Sequence, residues 1–306
     1  MDAVNAIVPL FAVILIGFLA VRSGYFPAES LRPVGEVVLR IALPALIFLS
    51  VAGAAPGEGL QPAALLAIGI GSLATFACGV AAAIWGLRMS LRQAAMVGLG
   101  ISASNSGFIG YPVVQQLYGT AEAGRLLAHM MVVENLVMIP LALILSSNAG
   151  GVVALLRDLA RNPLILALAA AIAFQMAGLS LPGHAARTLD LLARMSAPAA
   201  LLVVGATLAT LRPQGQAGAA AVIVLGKLLL HPALTFAAFA VVGGFAGPFV
   251  LGAVLFAAMP MMSVYPILCQ RAGLGPLAAS ALLAATILGT VTIPFWLPVL
   301  RQLGLG

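Results

Sequence analysis

The stretch Gly98-Leu-Gly-Ile-Ser-Ala-Ser-Asn-Ser-Gly-Phe-Ile-Gly-Tyr-Pro112 decides how this chain is read. It lies within residues 93–121, a run without Asp, Glu, Lys or Arg. Such a run is long enough to cross a bilayer, which takes about 20 mostly apolar residues. Its middle is nevertheless polar. Ser102, Ser104, Asn105 and Ser106 cluster there, and Gly107, Gly110 and Pro112 follow. Serine and asparagine compete for backbone partners and suit a helix N-cap. Proline lacks a backbone donor and clashes with the preceding turn, and glycine weakens a helix. Together they predict a membrane span broken into two half-helices by unwound backbone.

Composition supports a membrane setting. Of 306 residues 63% are apolar and 7% charged, against about 25% charged in a soluble domain. Mean hydropathy is +1.17. That excludes a soluble globular protein, and disorder needs the opposite balance. Net charge is +6, but the arginines fall in short loops, which points to membrane orientation and not to nucleic acid. Cys78 and Cys269 lie in apolar runs and form no disulfide framework or metal motif. Residues 5–21 lack a basic leader and read as a retained first helix.

Further uncharged runs cover 59–87, 135–156, 162–186, 228–270 and 272–300. Gly243, Gly244, Gly247 and Pro248 split the longest with a turn. Ten spans are predicted, near 5–22, 31–52, 62–86, 93–118, 123–146, 162–179, 187–210, 217–242, 248–270 and 277–300. An even count puts both termini on one side. Arg125, Arg187 and Arg301 fall there, against Arg22, Arg32, Arg88, Arg92, Arg157, Arg161, Arg212 and Arg271 opposite. The arginine-rich side is expected in the cytoplasm and both termini outside it.

A shift of 154 places Pro9 on Pro163, Pro44 on Pro198, Pro112 on Pro266 and Pro140 on Pro294. Random placement gives about 0.6 coincidences at one offset, the baseline for a repeat. Tyr111 then meets Tyr265, Gln116 meets Gln270 and Gly119 meets Gly273. Residues 1–152 and 153–306 thus read as two five-span repeats. Five is odd, so the second enters from the opposite side, an inverted topology shared by many secondary transporters.

The ninth span holds the counterpart of the first break, Met259-Pro260-Met-Met-Ser263-Val-Tyr265-Pro266. Unwound backbone at membrane depth survives only where protein or a water-lined cavity satisfies it. Two such breaks should meet near the midplane, their half-helix N-termini turned toward an anion. The candidate substrate site is Ser104, Asn105, Ser106, Gly110, Tyr111 and Pro112 with Pro260, Ser263, Tyr265 and Pro266. The competing reading is a pair of ordinary proline kinks.

Ionisable groups inside a membrane are functional candidates. Lys227, with His231 one turn on, and Glu134, beside Asn135, lie within spans. Glu134 is a candidate acceptor for a coupling proton, and Lys227 a candidate for attracting the anion. A Glu134–Lys227 pair, or Lys227 bound to carbonyls freed by a broken helix, would be structural instead. Glu36 with Arg40 and Asp190 with Arg194 have the favourable i, i+4 order and read as structural.

Ser104-Asn-Ser-Gly-Phe-Ile-Gly-Tyr-Pro112 resembles the crossover motif of the auxin efflux carrier family, which includes plant auxin carriers and bacterial malate and malonate permeases. Pro9-Leu-Phe, Arg40-Ile-Ala-Leu-Pro44, Gly226-Lys-Leu-Leu-Leu-His-Pro232 and Met259-Pro260 extend the resemblance along the chain. Ser102-Ala103 stands where the plant pattern has Asn-Pro, and the long central loop of many plant carriers is missing. The resemblance implies an all-α membrane protein of ten helices with crossing fourth and ninth helices, a fold similar to bile-acid/sodium symporters. It implies a scaffold of helices 1, 2, 6 and 7 and a transport domain of helices 3–5 and 8–10 that moves as an elevator. It implies transport of organic anions without ATP, Asn105 at the substrate, and a homodimer through the scaffold.

No P-loop, His-Glu-x2-His, Cys-x2-Cys or Gly-x-Ser-x-Gly motif occurs. The chain is therefore expected to be no enzyme and to hold no cofactor or metal. It reads as a secondary transporter of a small organic anion, a carboxylate, in a bacterial inner membrane, with H+ or Na+ as candidate coupling ions. A membrane sensor with the same fold, or a passive channel, is the alternative.

Overall fold

Helices in this chain start and stop where charges, glycines and prolines interrupt apolar sequence. The structure, a computed structural model, describes residues 3–54, 59–146, 157, 160–212, 217–300 and 302. Among these residues the chain is helical and contains no strand. Six long apolar stretches cover Glu29–Ala52, Pro62–Gly86, Leu91–Ser146, Gly183–Thr210, Ala217–Val242 and Gly275–Leu300. Shorter apolar helices are Val8–Arg22, Pro163–Met176 and Gly247–Ala258. Leu91–Ser146, at 56 residues, is far longer than one crossing. It is interrupted at Ala103, in extended conformation, and at Gly119, where φ is +80°. Gly273, the residue 154 further on, also has positive φ, +73°. The expected boundary at 152/153 and Arg301 lie outside the described residues.

Four of the wide, π-helical turns share a sequence cause. Val38–Ala42, Ser106–Gly110, Glu134–Met138 and Gly226–Leu230 are each followed, two residues after their end, by proline: Pro44, Pro112, Pro140 and Pro232. Proline cannot donate to the carbonyl four residues back, and its ring crowds that carbonyl. One wider turn relieves the crowding and keeps the helix running. The carbonyl so freed before Pro232 is that of Leu228, and it accepts the Trp296 indole N–H at 2.9 Å.

Two compact units divide the chain. The first comprises Met1–Pro62, Gly107–Val132 and Arg157–Thr210. In it Ala3–Arg22 packs along Ser196–Thr210, and Leu43–Ala52 against Pro163–Met176. The first contact depends on two glycines. A Cβ on Gly17 would overlap the Leu202 carbonyl, and one on Gly205 would overlap that of Ile14. Small residues of this kind let membrane helices approach backbone to backbone. Asp190 and Arg194 form their ion pair at 2.7 Å. Glu36 and Arg40 form none among the described residues, because the π turn Val38–Ala42 opens between them and spoils the i, i+4 alignment.

The second unit comprises Ala63–Ser106, Val133–Leu156 and Leu211–Gly306. Leu91–Ser102 packs on Ile139–Ser146, and Gly275–Leu300 receives both Ala217–Leu225 and Gly247–Ala258. Its single acidic residue is Glu134.

Candidate functional site

Within the second unit the two breaks expected from the sequence come together. Leu91–Ser102 begins with a capping box: Ser90 Oγ accepts from the Gln93 N–H, and the Gln93 side chain from the Ser90 N–H. It ends as Ala103 turns extended, at φ −110° and ψ 138°. Gly247–Ala258 ends at Met259, at φ −65° and ψ 152°. Pro260 is the reason, since a residue before proline is pushed out of the helical region. Helix resumes at Tyr265–Cys269, with Pro266 in its first turn, where a missing N–H is harmless.

Asn105 joins the two breaks. Its backbone N–H donates to the Pro260 carbonyl at 2.8 Å. Its side-chain amide donates to Ser263 Oγ at 2.8 Å. Unwound backbone of one break thus satisfies the other, which meets the requirement that no polar main chain faces lipid. Asn105 is buried and Ser263 half-buried. Tyr265 is turned away from this pair. Its hydroxyl donates to the Met96 carbonyl at 3.1 Å, and its ring lies where a Cβ on Gly100 would be.

Behind the first break lies a buried polar network. The Glu134 carboxylate accepts from the Ser104 N–H at 2.9 Å and from the Ser106 hydroxyl at 2.7 Å. It therefore occupies the N-terminal end of the second half-helix, a position that favours negative charge. Lys227 is 0% exposed. Its ammonium donates to Ser104 Oγ at 2.6 Å, to His231 Nδ1 at 2.7 Å and to the Ala257 carbonyl at 3.0 Å. All three ammonium protons thereby have an acceptor. With Nδ1 accepting, His231 is neutral and its Nε2 donates to Ser72 Oγ at 3.3 Å. Glu134 and Lys227 are thus linked through Ser104. Ala257 lies in the last turn before the second break, so Lys227 does take up a carbonyl that the break leaves free.

Glu134 and Lys227 each sit in a π turn, Glu134–Met138 and Gly226–Leu230. Asn135 follows Glu134 and is half-buried. Pro260, whose carbonyl accepts from Asn105, and Pro266 are both buried. Gly110, Tyr111 and Pro112 belong to the first unit, where Tyr111 is fully buried. His129, also in that unit, accepts from the Gln61 N–H at 2.9 Å through Nε2 and donates to the Arg125 carbonyl at 2.8 Å through Nδ1. Ser72 has no signal in the sequence. A serine in an apolar helix ordinarily bonds back to its own helix, and only the fold reveals its partner.

The arrangement holds a neutral amide–hydroxyl pair at two helix breaks, backed by a balanced carboxylate and ammonium. It suits hydrogen bonding to a polar solute more than covalent chemistry. No group of three or more His, Cys, Asp and Glu side chains that could hold a metal occurs among the described residues.

Residues 2–297 match the family described as Membrane transport protein, that of the auxin efflux carriers. The "Putative malonate transporter" of Rhizobium meliloti (strain 1021) is 31% identical over 98% of this chain and 97% of its own. An "Uncharacterized transporter" of Methanothermobacter thermautotrophicus is 28% identical over 98% of this chain and 99% of its own. The "Uncharacterized transporter YfdV" of Escherichia coli (strain K12) is 25% identical over 97% and 98% respectively.

Proposed function

The chain belongs to the auxin efflux carrier family of membrane transport proteins, and from that premise we propose that it is a secondary transporter of a small organic anion. The solute is a carboxylate, bound where the fourth and ninth of ten spans cross. The observation that carries this is Asn105, whose backbone and amide both bridge to the other break, at Pro260 and Ser263. Helix breaks at equivalent depth in repeats are where secondary transporters bind solute. The name of the Rhizobium relative supplies the carboxylate class, with malonate as the first compound to try.

We assign the two repeats to inverted topology and the motion to an elevator. In this reading the moving body is helices 3–5 and 8–10, which take in the second unit together with Gly107–Val132, and the scaffold is helices 1, 2, 6 and 7, within Met1–Pro62 and Arg157–Thr210. The scaffold also makes a homodimer. The protein sits in a bacterial inner membrane with both termini outside. Glu134 is the candidate carrier of a coupling proton.

Flux into proteoliposomes tests the proposal. Labelled malonate uptake is expected to saturate and to be inhibited by other small carboxylates, with H+ and Na+ gradients applied in turn. Binding without flux would make the protein a sensor, and non-saturating conductance would make it a channel. Failure of every carboxylate to bind to or stabilise a folded sample would refute the anion reading. A ligand at 100 times its Kd should add about 2.7 kcal/mol of stability.

A further inference from the structure

At one end of the second unit Arg92 and Arg271 meet, with Arg88 close by in the chain. Arg92, in the first turn of Leu91–Ser102, donates its guanidinium to the Arg271 carbonyl in the turn Gln270–Ala272. This contact brings two cationic residues together. Arg88 lies four residues before Arg92 and has φ +53°, the left-handed region that non-glycine residues rarely adopt. All three arginines are exposed. Glu134 is the only acidic side chain of the unit, and it is bonded to Ser104 and Ser106 at the break. A cation in the first turn of a helix also opposes the helix dipole. The cluster therefore presents positive charge that no side chain of the unit neutralises, open to an anion from outside it.

The surroundings indicate which anion. Trp85 is 81% exposed three residues before Arg88, and Ile267 is 63% exposed four residues before Arg271. Leu91 beside Arg92 is also exposed. Apolar side chains facing outward beside cationic ones suit the level where acyl chains give way to headgroups, and tryptophan concentrates there. The positions 154 residues beyond Arg88 and Arg92 are Val242 and Ala246, so the repeat does not reproduce the cluster. It belongs to one end only.

We infer that Arg88, Arg92 and Arg271 form a binding site for the phosphate headgroup of an anionic phospholipid. The guanidinium fork of arginine matches a phosphate's oxygens. The site lies away from the Asn105–Ser263 pair and does not depend on which solute is carried.

The test uses the whole purified protein in detergent, titrated with short-chain phosphatidylglycerol, phosphatidylcholine or inorganic phosphate. Binding is read by native mass spectrometry and by thermal shift. Phosphatidylglycerol is expected to bind and to raise Tm, with little effect from the other two. Each arginine near an anionic surface contributes about 1 kcal/mol, roughly a fivefold change in affinity. Arg88→Gln combined with Arg271→Gln should therefore weaken binding more than tenfold. This pair leaves the Arg92 contact to the Arg271 backbone in place, so the fold is retained. Arg22→Gln, in the first unit, should change nothing. Equal affinity of the double variant, or equal loss in Arg22→Gln, would overturn the site. An equal response to inorganic phosphate would make it a site for free anions and overturn the lipid assignment.

Discussion

Lys227 carries the most consequence of any single side chain here. A buried ammonium is tolerated because Ser104, His231 and Ala257 accept its protons and Glu134 lies beyond Ser104. Lys227→Met removes the charge and leaves Glu134 without compensation. Breaking a buried pair from one side costs about 3–5 kcal/mol, so a large fall in Tm is expected, partly recovered by adding Glu134→Gln. Glu134→Gln alone keeps an acceptor for Ser104 and Ser106, so it should fold. If Glu134 carries a coupling proton, the variant's uptake should lose its pH dependence, and an unchanged profile would return Glu134 to a structural role. Asn105→Ala should abolish transport with Tm nearly unchanged, because one hydrogen bond is worth only about 1 kcal/mol net. Wild-type flux in that variant would remove Asn105 from the site.

At the scale of the helix, proline does more than stop or kink. Pro44, Pro112, Pro140 and Pro232 each follow a π turn, and two of those turns present Glu134 and Lys227. Pro232→Ala would give residue 232 an N–H for the Leu228 carbonyl, now taken by Trp296. The turn could then tighten to an ordinary α-helix, rotating Lys227 by about 100° relative to residues beyond it. Stability is expected to hold or rise while uptake falls at least tenfold; full activity would show that the wide turn has no part in aiming Lys227. Gly100→Ala should destabilise by about 1–3 kcal/mol through overlap with Tyr265, measurable as a lower Tm. The breaks at 103–105 and 259–264 were legible because serine, asparagine, glycine and proline each carry a local backbone preference. Gly119 stood out only as the repeat's match to Gly273. The π turns were not legible, since proline announces a disturbance without saying whether a helix ends or widens. Lys227 and Glu134 stood out as charges in apolar runs, but Ser104 as the link between them depends on the meeting of helices distant in sequence.

Across the whole molecule, apolar length and loop charge locate most helices to within a few residues. Pro62–Gly86 and Ala217–Val242 coincide with the predicted 62–86 and 217–242. Grouping into units depends on packing, which no local pattern carries: Gly107–Val132 clusters with the first unit although Ser106, beside it in the chain, clusters with the second. The expected orientation can be checked directly. A protease site fused to the N-terminus should be cut in intact spheroplasts, and protection there would invert the topology assigned to the ten spans. The junction at Ser104 also has an electrical meaning. Glu134 and Lys227 sum to zero whether both are ionised or the proton has passed from one to the other. If the pair moves with the carrier as proposed, an empty return drags no charge from it through the membrane field, and the current of a cycle is that of its cargo and any coupled ion. At 100 mV each elementary charge represents about 2.3 kcal/mol. Were the cargo the proposed carboxylate, a negative-inside potential would favour its outward movement by that amount if monovalent and by twice as much if divalent.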